Sequence, residues 1–253
     1  MCGLWVLCSD TLPALCQVAP ARPRLEIVSL PMKQLIYRII YHPQFNAFAR
    51  RLNKLLLPIL PSKIKLPPSG EIAIKSKDGK KIIMKTNQTS HLTKLLYWGD
   101  YLDFEYTPIF LALVRKLDVF YDVGANIGYY SLLAARENPG MEIVAFEPAR
   151  GPLHFLKENV RVNRFSNIRV EDLALSDQKG TITFYEIQNR KYPYLQYNLA
   201  GENNAGSKTS NRDYVTTEVK TNTFDAYLQS RRVQKIDLIK IDTEGTEHLI
   251  LSQ

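Results

Sequence analysis

The chain has 253 residues, 45% apolar and 23% charged, with 12 glycines and 14 prolines, which excludes a wholly disordered or collagen-like chain. Its net charge is +8, yet nine basic and only two acidic residues lie in 1–65, leaving 24 basic against 23 acidic over 66–253; the nearly neutral body speaks against a nucleic-acid enzyme with a basic groove. No apolar run is long enough to span a membrane, and with Cys2, Cys8 and Cys16 the only cysteines there is no disulfide framework or Cys-based zinc site in the body, as suits a reducing cytoplasm.

Residues 1–31 are apolar but lack an early positive region and are broken by Asp10 and Pro13, a poor secretory signal. They read as a disordered leader, or as sequence ahead of a true start at Met32. Met32–Leu60 mixes Leu, Ile, Phe and Tyr with Arg and Lys. Such a segment is either a solvated basic face or an interfacial one that makes peripheral contact with an anionic membrane. Pro43 divides it into two short helices. Pro58, Pro61, Pro67 and Pro68 mark a linker. Two alternating runs, Glu71–Lys77 and Lys80–Lys85, flank Asp78-Gly79 and predict a β-hairpin. Residues 32–94 thus form a basic helical segment, linker and hairpin ahead of a domain at 95–253.

A helix is predicted over 104–117. From Leu117 strands and helices alternate: strand Val119–Val123, helix Tyr129–Arg136, strand Glu142–Phe146, helix Leu153–Arg164, strand Ile168–Val170. That order implies an α/β fold, a Rossmann-like, doubly wound, mostly parallel sheet with helices on both faces. Thr181–Ile187 and Tyr214–Lys220 alternate as half-solvated strands, separated by Gln188–Asp213, which reads as a long surface loop. A short helix, Phe224–Ser230, precedes the last strand, Ile236–Ile241.

Two segments carry the chemistry. The first is Asp122-Val-Gly124-Ala-Asn126-Ile-Gly128, between a strand and a helix. Gly124 permits a tight turn and Gly128 close packing of the helix on the strand. Asn126 stands where a dinucleotide fingerprint needs its second glycine and Tyr129 where it needs its third, so an NAD enzyme is disfavoured. Glu147 ends the second strand 25 residues after Asp122, near the ~20-residue offset of a ribose-binding acid. Asp122 would repel a pyrophosphate and suits a ligand with an ammonium and no phosphate, such as S-adenosylmethionine. Without a ligand, the same pattern is a tight turn with two solvent-facing acids.

These residues resemble a class I S-adenosylmethionine-dependent methyltransferase, and more narrowly the FkbM family. DVGANIGYYS (122–131), AFEP (145–148), ALSD (174–177), IKIDTEGTE (239–247) and, upstream, WGDYLDFE (98–105) are similar to that family's blocks in the same order. The resemblance covers about 95–253. It implies methyl transfer to oxygen of a sugar hydroxyl or a secondary metabolite, with S-adenosylmethionine as cofactor and a small molecule or glycan as acceptor.

The second segment, Asp242-Thr-Glu244-Gly-Thr-Glu-His248, follows a strand whose carboxyl end should face the same crevice as Gly124. Asp242, Glu244 and His248 are candidates for the base that takes the hydroxyl proton. Asp242 or Glu244 can instead shape the methionine pocket, or the acids merely favour the start of the next helix. A divalent ion on these residues lacks spaced partners, and no metal is expected. Asp172, Ala174 and Leu175 follow the third strand, where an adenine edge would lie. Glu105 and Tyr101 can cover the cofactor; Tyr192, Tyr194 and Tyr197 can stack on a sugar. Eleven residues follow Asp242, where the resemblance implies further strands. Ile236–Ile241 is therefore expected at a sheet edge, with the domain incomplete at its C-terminus. A truncated remnant that binds cofactor or membrane without turnover is the alternative function.

Overall fold

In the computed structural model, residues 32–59, 64–76, 78–200, 204–205, 214–243 and 245–251 are described. The reading of residues 1–31 as a leader and the role of Glu244 lie outside them.

Pro43 breaks the basic segment as expected. Helix α1 spans Met32–Ile40 and α2 spans Pro43–Leu56, with Pro43 itself in the first turn of α2, where a missing N–H costs nothing. The hairpin forms from β1 (Gly70–Lys75) and β2 (Lys81–Thr86), paired antiparallel. Helix α3 (His91–Trp98) follows, capped by the Ser90 hydroxyl, which accepts from Thr93 N. A 3-10 turn at Tyr101–Asp103 leads into α4, Thr107–Val114. The single helix expected over 104–117 is thus shorter, because Pro108 fixes its start.

The central sheet comprises β3 (Val119–Val123), β4 (Glu142–Phe146), β5 (Ile168–Glu171) and β10 (Leu238–Ile241), all parallel in the order β10-β3-β4-β5. Helices α5 (Tyr129–Glu137) and α6 (Arg150–Asn163) connect the first three strands. Alternation splits each strand between two apolar layers. Phe120, Ile143 and Ala145 pack with Leu132 and Leu133 of α5, Leu156 of α6, α4 and the hairpin. Tyr121, Val123, Val144 and Phe146 pack on the other face with Tyr227 of α7 (Phe224–Arg231) and Ile250 of α8 (Glu247–Leu251). The fold is a Rossmann-like α/β sheet wound on both faces. Among the described residues β10 pairs only with β3 and forms the sheet edge.

A second sheet stands beside it, in the order β6-β9-β7-β8: β6 is Ala174–Leu175, β7 Gly180–Ile187, β8 Asn204–Ala205 and β9 Tyr214–Asn222. The segment after β7, expected as a surface loop, is packed down where it is described. Tyr192 and Leu199 are buried. Tyr192 makes edge contacts with Tyr37 and Tyr41, and Tyr197 stacks on His154 of α6 at 4.5 Å. Its aromatic content is used for internal packing.

Candidate active site at the carboxyl ends of the parallel strands

The glycine turn is held by its geometry and by one acid. Gly124 has φ +73°, and a side chain there would collide with the main chain of Asp242 at the end of β10. The turn and the second acidic segment therefore meet. Gly128 has φ +89° and precedes α5; a β-carbon on it would press on Leu156 at 2.5 Å. Its close packing is helix on helix, not helix on strand as the sequence pattern suggested. Asn126 adopts the left-handed region, φ 53°, which asparagine tolerates better than most residues.

Glu147 ties this turn to β4. Its Oε2 accepts from Asn126 N at 2.7 Å and its Oε1 from Ala149 N at 2.9 Å. The side chain is buried. Burial pushes its carboxyl up to about 7, against the two backbone hydrogen bonds; Asp122 adds to the rise and Lys240 opposes it. Asp122 is the register partner of Ala145, and Glu147 lies two residues beyond Ala145, so alternation puts both acids on the α5 side of the sheet.

Glu147 faces a cleft of about 350 Å³, within the usual range of ~300–1,000 Å³ for small-molecule sites. One wall is Gly124 and Asn126, a second is Asp242, Thr243, Thr246 and Leu249, and a third is Leu173–Asp177. Phe184 and Ile182 of the second sheet close it. The described lining residues include three acids, Glu147, Asp177 and Asp242, and no Lys or Arg. Of the residues singled out in the sequence, Gly124, Asn126, Glu147, Ala174, Leu175 and Asp242 line this cleft together.

Others lie elsewhere. Gly128 supports the turn from behind. Asp172 points outward, 3.7 Å from Lys157, because the chain turns away between β5 and β6. His248 is exposed on α8. Among the described residues, no three His, Cys, Asp or Glu side chains cluster to hold a metal ion. Asp122 is buried and lies outside the cleft lining. Its Oδ2 accepts from the Ser131 hydroxyl at 2.6 Å. Its Oδ1, 3.5 Å from Lys240 Nζ, has no hydrogen-bond partner.

Lys240 is the residue the sequence reading overlooked. It sits between Asp122 and Asp242 (3.4 Å from Asp242 Oδ2) and over the Tyr130 ring, 5.5 Å from its centroid. Burial acts to lower its pKa, but the two carboxylates outweigh burial and hold it above the ordinary lysine value. The signal was available: Lys240 is the one cation in the apolar run Ile-Asp-Leu-Ile-Lys-Ile. Tyr130 in turn donates to Glu105 Oε2 at 3.0 Å, bringing the upstream WGDYLDFE block to this corner. Glu247 was also missed as a positioning group. Its carboxylate accepts from Thr243 N and Gly245 N and so shapes the cleft wall after β10.

The family model of the Methyltransferase FkbM domain matches residues 122–253, from Asp122 of the glycine turn through the second acidic segment. The 31-O-demethyl-FK506 methyltransferase FkbM of Streptomyces tacrolimicus is 31% identical, over 55% of this chain and 60% of that protein. The methyltransferase sdnD of Sordaria araneosa is 29% identical, over 51% and 58%. The chain thus spans little more than half the length of these curated relatives. A crystal structure of M. jannaschii TYW2 in complex with AdoMet aligns with a TM-score of 0.31 at 17% identity, covering 53% of this chain and 71% of that one. With both diagnostic blocks inside the matched region and meeting at Gly124 and Asp242, the chain belongs to the FkbM methyltransferase domain family.

Proposed function

We propose that this protein binds S-adenosylmethionine in the Glu147 cleft and transfers its methyl group to a hydroxyl oxygen of a small-molecule or glycan acceptor. The observation that carries the reading is the make-up of the cleft: three acidic side chains, with Glu147 held partly protonated near neutral pH by burial, and no Lys or Arg among its described lining residues. Such a site repels a pyrophosphate and favours a cationic, phosphate-free nucleoside. The apolar wall of Phe146, Leu173 and Leu175 suits a flat base, and Glu147, anchored through two backbone donors, keeps lone pairs for ribose hydroxyls. When bound, the donor supplies an electrophilic methyl group on a sulfonium sulfur.

Lys240 changes the role assigned to Asp122. With one oxygen on Ser131 and the other against Lys240, Asp122 works as a fixed counter-charge that holds Lys240 beside Asp242, behind the cleft lining. Asp242 keeps an exposed side chain at the mouth of the cleft and is the group we assign to accept the hydroxyl proton as the O–CH₃ bond forms and the S–CH₃ bond breaks. Positioning of both reactants supplies the rest. The name of the S. tacrolimicus relative, a methyltransferase of a 31-O-demethyl compound, supports oxygen as the acceptor atom.

Calorimetric titration of the full chain with S-adenosylmethionine and with NADH tests the reading. Binding of the former, weakened at least ~10-fold in Glu147→Ala by loss of hydrogen bonds to a charged group, is expected. Tight NADH binding, or unchanged affinity in Glu147→Ala, overturns it.

A further inference from the structure

Helix α2 is mounted inside out. Its polar positions Asn46, Arg50 and Asn53, spaced four and three residues apart, face the protein. Asn46 is fully buried, donates to Ile40 O and Pro67 O, and accepts from Ser69 N. Arg50 is also buried. It donates to Glu71 O at 3.0 Å and lies over the Tyr97 ring. Asn53 donates to Ile64 O and accepts from Leu66 N. The opposite stripe is apolar and exposed: Phe45, Phe48, Leu52, Leu55 and Leu56, with Ile59 just beyond the helix. Phe48 is 63% exposed, Leu55 76% and Ile59 83%.

Helix α1 repeats the pattern. Met32, Leu35, Ile36 and Ile39, at i, i+3, i+4 and i+7, are exposed. An amphipathic helix ordinarily turns that face to the core. Here ten large apolar side chains in two consecutive helices and the turn after them stand in solvent, more than the scattered exposure of a monomer surface accounts for.

The charges beside this face name its partner. No Asp or Glu occurs from Ile27 to Gly70, and Lys33, Arg38, Arg51 and Lys54 are exposed along the same helices. Apolar stripes flanked by cations, without a single acid, fit an anionic lipid surface. The apolar residues enter the headgroup–acyl boundary while Lys and Arg reach back to the phosphates. Neither helix is long and apolar enough to cross a membrane. We infer that α1 and α2 dock this protein on anionic membranes, lying in the plane of the surface.

Flotation of the full chain with phosphatidylcholine vesicles, with and without phosphatidylserine, tests this. Binding is expected only or far more strongly with phosphatidylserine, and should weaken as salt screens the charges. Phe48→Ser with Leu55→Ser should remove it, and Arg51→Glu with Lys54→Glu should reduce it at least ~10-fold. An unchanged thermal melt and unchanged S-adenosylmethionine titration will show these exposed variants are folded. Equal retention on both vesicle types, binding indifferent to the variants, or a native oligomer that Phe48→Ser with Leu55→Ser converts to monomer overturns the inference, the last by giving the stripe to a second copy of the chain.

Discussion

The main-chain carbonyl oxygen of Asp242 stands where a β-carbon on Gly124 would have to go. The two chemistry-bearing segments of this chain, more than a hundred residues apart in sequence, are therefore in backbone contact. The contact exists only because position 124 has no side chain and adopts a positive φ.

Gly124→Ala must distort the turn, shift β10, or both. We expect a loss of roughly 3 kcal/mol from left-handed strain plus overpacking, together with loss of donor binding. Urea denaturation followed by calorimetry checks both. A stability change under ~0.5 kcal/mol, the size of an ordinary surface effect, would contradict the close approach.

Glu147 gives the fold a pH dependence of unusual sign. Its carboxyl is pushed from 4.5 up to about 7 in the folded chain. Between those values the folded state keeps a proton that the unfolded state releases. Its contribution to stability is therefore best below about pH 4.5 and declines as pH rises to about 7, by roughly 3 kcal/mol in all. In Glu147→Gln that component of the slope should vanish. Thermal melts of both proteins from pH 4 to pH 8 would show it.

Removing Lys240 leaves Asp122 as a buried carboxylate with only the Ser131 hydroxyl for company. Lys240→Met should cost roughly 3 kcal/mol at neutral pH, the penalty of an uncompensated buried charge. Asp122→Asn added to it should restore most of that loss. If the double variant is no more stable than Lys240→Met alone, the pair is not coupled as the geometry indicates.

Asp242→Asn separates binding from chemistry. The side chain is 65% exposed, so the fold should tolerate the change, and Lys240 keeps Asp122. Under the proposed mechanism, donor affinity stays within a few-fold while methyl transfer falls by about 10²–10⁴, the typical contribution of a general base. Equal turnover in native and variant chains would move the base elsewhere.

Much of this architecture was legible because strand runs and turn residues are local. Val119–Val123 and Glu142–Phe146 form where their apolar runs indicated, and Pro43 divides the basic helices at the expected residue. Long-range relations were less accessible. Asp122 reads as a ligand-facing acid until its partner Lys240 arrives from the far end of the chain. Ile182 and Phe184 close the cleft from a second sheet whose position no local pattern encodes. The tyrosines after β7 look like an exposed recognition loop, yet Tyr192 is buried by packing on α1. The outward stripe of α2 was visible as amphipathicity, but its direction depended on what Asn46 and Arg50 find across the interface.

Helix α6 reads the outer edge of the hairpin through two amides. Asn163 accepts from Ile83 N and donates to Ile83 O; Asn159 accepts from Lys85 N and also donates to Ile127 O, at 2.9 Å, in the glycine turn. One side chain thus bolts the hairpin to the glycine turn. A displacement of α2, relayed through the hairpin it packs on, would reach Ile127 without crossing the sheet, so the N-terminal helices and the glycine turn share a mechanical linkage only a few side chains long.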